Sequence, residues 1–585
     1  MNKLFRIYLD EFDIKSSFIT DEYLQKVEDG ELVRVSSLSI NKLASLSYIH
    51  RNALISRAMR LSNIRGTVKP TLEKMKDMAL NRELVEKIDE LLNTIKERIP
   101  DVCLSAFCED QIREEADFRV WLSVRQIDFK ELSESEQAKL SDCRYHVRHL
   151  RRRASTARQA LASVLGTIGY NASSYADSFA LSCWKERQES AKSYGLSHNL
   201  SWTDRAGSTR LVSLFEIFES SRKARFAQLY AQTVALDEVA TKRNLIPIFI
   251  TITLPPQYHP NPKFGLPYGG NDIEDCPLPT DTDKALQHIW KKFRARASVD
   301  KIELLGLKVV EPHLDGCPHL HCLLYVKDIS EVGALDRHLQ ALRPEPVDGE
   351  RIATKLEILD RTRAKPASYV MKYLIKCLPA YERASELSDG TCDESGDPDH
   401  LAHHCEVRAW ASERRLRQFA WLGLHGLRTA WQRLYQSSEA DIEDAPRSII
   451  EATKALKEGR WSDALEALGA IKSDNKARPR IAYVDARNKY GEPIRKPDSL
   501  TLEEWSIKLK PNKYEIVQLI NEAVPHEMPI SKTEQIARQK AGLTVIVSYP
   551  SSAVLEDSAC KTIERTGPPP DFEQNNDAEM QFINI

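Results

Sequence analysis

Long apolar runs are missing from this 585-residue chain. None approaches the roughly 18 residues that a membrane-spanning helix requires, so no membrane span is expected. The first ten residues hold no apolar h-region, so no secretory signal is expected and a cytoplasmic location is. No Gly-x4-Gly-Lys-Ser/Thr stretch occurs, which excludes a P-loop ATPase. No internal repeat is visible. The 11 cysteines are scattered and odd in number, which fits a reducing compartment better than a disulfide framework. An excess of one charge sign is missing as well. Lys and Arg total 83 against 85 Asp and Glu, a formal net charge of −2, which argues against a uniformly basic nucleic-acid surface.

What is present is an ordinary soluble composition, 42% hydrophobic and 29% charged, in a chain long enough for several domains. Charge is clustered locally. Basic stretches occur at 144–158, 291–296, 361–376 and 408–417, and acids gather at 386–399. In 290–296 and 410–421 tryptophan and phenylalanine are interleaved with Lys and Arg, a composition that could stack bases and follow phosphates of single-stranded DNA but that more often marks a helix core.

Apolar spacings of three and four residues predict helices over 41–60, 72–99 and 144–165. A further helix is expected over 211–244, with Leu214, Phe215, Phe218, Phe226, Leu229 and Tyr230 as its buried stripe. These divide into a helical N-terminal region, 1–100, and a second helical region, 101–240, a candidate for DNA binding. Ser, Asn and Gly accumulate over 195–207 and mark a boundary. The period then changes. Strands are expected over 246–254, 301–311, 318–327 and 354–360, and helices over 283–297, 330–343 and 366–377, the last opened by Pro366. This order predicts an α+β domain with antiparallel pairing over 245–380. An acidic loop over 381–405, a mainly helical C-terminal region over 406–550 and a polar, disordered tail over 551–585 complete the expectation.

The chemistry-bearing stretch is Glu311 to Val326, centred on His319-Leu320-His321. On a strand, residues i and i+2 share a face, so the two imidazoles look one way and form a natural divalent-metal clamp. Asp315-Gly316 signals a hairpin turn just upstream. Glu311 and His313 are the candidates for a third ligand, with His259 a further option; a carboxylate suits a hard cation. About fifty residues on, Tyr369 and Tyr373 stand one helical turn apart with Lys372 and Lys376 beside them. A tyrosine can attack phosphorus, a bound Mg²⁺ or Mn²⁺ can polarise the phosphate, and a lysine can offset transition-state charge. Taken singly, each motif also suits plain core packing. Cys103, Cys108, Cys143, His146 and His149 make a poorer zinc candidate, because their spacing departs from common zinc ribbons.

Three ordered motifs carry a resemblance: Phe249–Ile–Thr–Ile–Thr–Leu254, the stretch Glu311 to Leu324 with both histidines, and Tyr369 to Lys376. Together they resemble the HUH endonucleases that initiate rolling-circle replication. More narrowly, FITITLPPQYHP, EPHLDGCPHLH and the segment Arg408-Ala-Trp-Ala-Ser412 with Leu416-Arg-Gln-Phe419 are similar to the replication gene A proteins of temperate tailed phages. The resemblance implies a ferredoxin-like antiparallel sheet with a metal on His319 and His321. It implies nicking of single-stranded origin DNA through a 5′-phosphotyrosyl bond, with a free 3′-OH for a host polymerase. Unwinding would then fall to a host helicase, in the bacterial cytoplasm. A two-tyrosine transposase and a non-catalytic DNA-binding replication accessory protein are the alternatives.

Overall fold

The computed structural model describes residues 46–61, 82–125, 129–203, 208–261, 273–342, 354–363, 365–377, 403–424, 426–470, 478–509 and 514–518. They fall into two compact units, one drawn from residues up to 192 and from 221–511, the other from 193–220 and from 512 onward. Helices and antiparallel sheets mix throughout, as an α+β class requires. No helix among the described residues is long and apolar enough to cross a membrane.

The main unit is built on a five-stranded antiparallel sheet of β3 (Ile246–Ile252), β4 (Leu305–Pro312), β5 (Pro318–Val326), β6 (Lys355–Ile358) and β7 (Phe419–Leu422), in the order β6-β3-β5-β4-β7. β5 lies at its centre, and all nine of its residues are buried. Such a strand reads as nearly continuous apolar sequence because both of its faces are covered. Gly306 in β4 permits a close approach to its neighbour, since a Cβ there would stand 1.9 Å from the Leu323 carbonyl oxygen. Ile248, Ile250, Leu320 and Leu324 share one face of the sheet by register, and Phe249, Thr251, His319 and His321 share the other.

Helix α8 (Pro279–Val299) buries Leu286, Trp290 and Phe293, and packs on β5 and on α9 (Ile329–Gln340). Asp328 caps α9 by accepting from the Ser330 and Glu331 amides. Helix α10 (Pro366–Cys377), with Pro at its first position, packs against β4. Upstream, α1 (Tyr48–Leu61), α2 (Arg82–Arg98) and α5 (Cys143–Leu165) share a core of Leu54, Ile55, Ile88, Ile95 and Leu161.

Several elements differ from expectation. Residues 419–422, expected within a helical segment, form the edge strand β7; Phe419 and Trp421 alternate with Ala420 and Leu422 in a run too short for a helix, set apart from α11 (His404–Arg414) by a left-handed Arg415. The described residues of the C-terminal region mix helix with strand. After α12 (Leu427–Tyr435), α13 (Arg447–Lys457) and α14 (Trp461–Ala467), it forms a sheet of β8 (Arg480–Arg487), β9 (Pro493–Leu502) and β10 (Trp505–Lys508). Its β8–β9 turn falls at Tyr490-Gly491. In the helix that follows residue 214, Tyr230 is exposed, and Ala235, Leu236, Val239 and Ala240 carry the buried stripe further along. The smaller unit holds β1 (His198–Thr203) and β2 (Thr209–Ser213), paired antiparallel across the stretch read as a boundary, with β11 (Glu515–Gln518) beside β1. The expected acidic loop, as far as residue 402, and the tail over 551–585 lie outside the described residues.

Candidate metal and tyrosine site

The β4–β5 register sets Glu311 directly opposite His319, and Val309 opposite His321. Cross-strand partners share a face, so the carboxylate and both imidazoles project together. Their donor atoms lie within 4.8 Å of one another, and Glu311, His319 and His321 are the one such group of three among the described residues. Ligand atoms about 2.0–2.2 Å from a single ion stand at most about 4.4 Å apart, so small rotamer adjustments let this set close on a divalent cation. All three side chains are buried, with His321 at 0% exposure.

The surroundings orient the donors. Thr251 of β3 pairs with His321 in register, and its Oγ1 lies 3.2 Å from His321 Nδ1, which leaves Nε2 of that ring to face the group. Phe249 lies at 5.4 Å from the His321 ring. Tyr373 packs on His321 with ring centroids 4.1 Å apart and is itself buried, whereas Tyr369 is half-buried and meets Phe249 edge-on at 4.7 Å. The two phenol rings stand 6.2 Å apart. Both tyrosines therefore project onto the histidine face of the sheet. The backbones of Lys372 and Lys376 belong to α10, and their side chains lie outside the described residues.

The hairpin that carries the donors is pinned from below. His313 donates its amide to the Cys317 carbonyl, and Gly316, at φ 77°, donates to the His313 carbonyl. The turn is thus three residues, 314–316, with glycine in the left-handed position. Trp410 Nε1 donates to the Gly316 carbonyl at 2.9 Å, and the Tyr175 amide to that of Leu314 at 2.8 Å. His313 sits in this turn with its ring 4.2 Å from His319, outside the three-donor group. His259 is turned to Asp315, with Nδ1 to Oδ2 at 3.0 Å. Burial alone would raise the Asp315 carboxyl, but His259 beside it holds it below its ordinary value. For His259, burial works the other way, and Cys317 and Asp315 prevail to hold its imidazole well above the usual value.

Two other expectations are corrected. Trp290 and Trp410 are 7% and 2% exposed, so these indoles are core rather than base-stacking platforms. Cys103, Cys108, Cys143, His146 and His149 do not gather into a donor group. Sequence reasoning left unassigned the Thr251 contact and the buried cluster in which Arg158 Nη1 and Arg187 Nη2 meet the Glu413 carboxylate at 2.9 and 2.6 Å. The only signals were a threonine inside a β-branched strand and the Glu that follows the Arg408–Ser412 segment.

The fold and this site define a class: an α+β protein whose antiparallel sheet presents a buried carboxylate and two imidazoles beneath a helix bearing two tyrosines. Residues 110–381, which include every one of those side chains, match the family of bacteriophage replication gene A proteins (GPA). It is 27% identical to the replication gene A protein of Escherichia phage 186, over 59% of this chain and 49% of that protein. It is 26% identical to the probable replication protein P12 of Pseudoalteromonas phage PM2, over 59% of this chain and 53% of that one. A probable replication endonuclease from a prophage-like region of Salmonella typhimurium strain LT2 is 27% identical, over 46% of this chain and 32% of its own. The chain thus spans about half the length, or less, of these relatives. No solved structure matches it.

Proposed function

We propose that the chain is an HUH-type, metal-dependent endonuclease and strand transferase that nicks single-stranded DNA at a phage or prophage origin and so initiates rolling-circle replication. The observation that carries this reading is the packing of Tyr373 on His321, one member of the Glu311–His319–His321 donor group. Names among the relatives point the same way, toward replication and, for the prophage proteins, toward an endonuclease.

Two imidazole nitrogens and a carboxylate oxygen suit Mn²⁺, with Mg²⁺ as the harder alternative. When bound, the ion would polarise the scissile phosphate and stabilise its developing charge. The chain's residues do the rest. Glu311, His319 and His321 would hold the ion that meets the phosphate, and Thr251 holds the His321 ring. The Tyr373 phenol oxygen forms a bond to phosphorus while the bond from phosphorus to O3′ breaks, and the phenolic proton ends on the released 3′-OH. Tyr369, one turn away, repeats the reaction on the regenerated origin, and the earlier 3′-OH then attacks a phosphotyrosine to rejoin the strand. Each exchange conserves one phosphodiester-level bond, so neither nicking nor joining needs ATP. Lys372 and Lys376 are assigned to charge on the attacked phosphate. A host polymerase would extend the 3′-OH and a host helicase would open the duplex.

The test is a labelled single-stranded origin oligonucleotide incubated with the protein and Mn²⁺ or Mg²⁺, with and without EDTA. A covalent adduct that needs the metal and is lost in Tyr369→Phe/Tyr373→Phe is expected. An adduct that survives the double substitution would overturn the nucleophile assignment. Failure to form any metal-dependent adduct would leave the accessory DNA-binding reading in its place.

A further inference from the structure

We propose that Arg294 and Lys308, beside the indole of Trp290, and Arg417, on the approach to the edge strand next to Lys308, form a cleft for the phosphate backbone of single-stranded DNA on the sheet face opposite Glu311. The inference rests on the nuclease reading for its choice of ligand. Its geometry is independent of that reading.

β4 alternates, so Glu311 and Val309 look toward the tyrosines while Lys308 and Val310 look away. Lys308 Nζ lies 5.7 Å from the Trp290 ring centroid, and the Arg294 guanidinium lies 6.0 Å from the same centroid. Arg417 arrives from a third element. Its Nε donates to the Phe419 carbonyl at 3.0 Å, and the next residue, Ala420, is the cross-strand partner of Lys308. A helix, a central strand and the approach to the edge strand thus each deliver one cation to one place.

A structural role does not account for this arrangement. A single cation satisfies the face of an indole, and the two like charges at this ring, with Arg417 beside Lys308, repel one another. Among the described residues no carboxylate forms an ion pair with any of the three. The cross-strand neighbour of Lys308 on its other side is Cys322, whose thiol burial pushes far up, so it brings no negative charge. Lys308 is half-buried, and burial lowers its ammonium below the ordinary value, with Arg294 and Arg417 pushing the same way. A retained, recessed ammonium flanked by two exposed guanidiniums is the arrangement an anion completes. A phosphodiester chain supplies successive anions, with the buried Trp290 as the cleft's floor.

The experiment is equilibrium binding of a fluorescein-labelled oligothymidylate to the full chain in EDTA, followed by anisotropy across a salt series. The Tyr369→Phe/Tyr373→Phe protein serves as the parent, so that no covalent step contributes. Each single-strand phosphate contact contributes about 0.7 to the slope of log K against log salt. Arg294→Gln/Lys308→Met/Arg417→Gln is therefore expected to lower the slope by about 2, with affinity falling at least about tenfold at moderate salt. The exposed pair alone, Arg294→Gln/Arg417→Gln, cannot open the core and is expected to lower it by about 1.4. Lys308→Arg is expected to restore parent behaviour, and Lys308→Met is expected to leave the thermal midpoint at or above the parent's. A slope unchanged in the folded exposed-pair variant would overturn the cleft. Because binding is read without metal or tyrosine, a failed nicking reaction with an altered slope would reject the nuclease reading and keep the cleft.

Discussion

Glu413 and Glu311 are both buried in the main unit, 3% and 1% exposed, yet different chemistry surrounds them. Glu413 in α11 receives Arg158 Nη1 at 2.9 Å and Arg187 Nη2 at 2.6 Å, two permanent positive charges from two other helices. Arg158 spends its remaining donors on the Ser105 and Phe107 carbonyls. Burial alone would raise the Glu413 carboxyl, but the two guanidiniums hold it below the usual range. Glu311 faces two imidazoles, which offer lone pairs rather than fixed charge. The same side chain at the same depth is thus a structural lock in one place and one of three gathered donors that could hold a metal ion in the other. What separates them is whether the neighbours donate protons or electron pairs.

The largest effect that tests this contrast is expected at the lock. Glu413→Ala strands two buried guanidiniums and is expected to cost about 3–5 kcal/mol, read as a lower urea midpoint. Its sign with pH follows from the lowered carboxyl. The stabilisation is fully present above the unfolded-state value of about 4.3 and is lost as pH falls through the lower folded-state value. A lock that held at pH values well below both would break the assignment.

Glu311→Gln should behave in the opposite way. Affinity for Mn²⁺ by calorimetry is expected to fall by more than about 100-fold, beyond what loss of an outer-shell partner usually costs. Unfolding in EDTA is expected to shift by no more than about 1 kcal/mol, since the amide keeps the shape and removes a buried charge. Equal losses in both proteins, or a loss of stability without a change in metal affinity, would erase the distinction between the two glutamates.

Legibility in the sequence follows the range of the interactions. His319, His321, Tyr369 and Tyr373 could be named because a strand's period of two and a helix's turn of four put each pair on one face from local spacing alone. The strands of residues 246–252 and 318–326 were readable because β-branched and apolar runs bounded by Pro and Gly leave few alternatives. Glu311 held only a slight preference over His313 until the register was known, since a shift by one residue changes the face presented. Residues 419–422 looked helical because Trp410, Trp421 and Trp431 recur among helix formers, and only pairing with β4 makes that short run a strand. The Arg158–Glu413 lock spans 255 positions and leaves no local trace.

An intermediate effect is expected at Trp410, which links the two regions. It belongs to the same helix as Glu413, and its Nε1 holds the Gly316 carbonyl in the turn below the donors. Trp410→Phe removes that donor and leaves a buried carbonyl unsatisfied, at an expected cost of about 1–3 kcal/mol. The loss should also reach Mn²⁺ affinity, because the turn fixes the β4–β5 register. A stability loss with no change in metal affinity would show that the lock and the donor group are separate devices.

The smallest effect, and the sharpest, is expected at Thr251. Its hydroxyl meets His321 Nδ1 at 3.2 Å inside a strand buried from its second residue on, so the ring's Nε2 is the nitrogen left for the group. If Nδ1 carries the proton, it donates to Thr251 Oγ1 and Nε2 keeps its lone pair toward Glu311. Thr251→Val keeps the β-branched shape but removes the acceptor, so the ring can turn or change tautomer. Mn²⁺ affinity is then expected to fall about tenfold, roughly 1.4 kcal/mol. Thr251→Ser, which restores the hydroxyl, should recover most of it. Imidazole ¹⁵N shifts in the metal-free protein distinguish this from simple loosening, since Val should mix the His321 tautomers and leave those of His259 unchanged. A single unchanged tautomer in the Val variant would remove Thr251 from the site and leave His321 held by packing against Phe249 and Tyr373 alone.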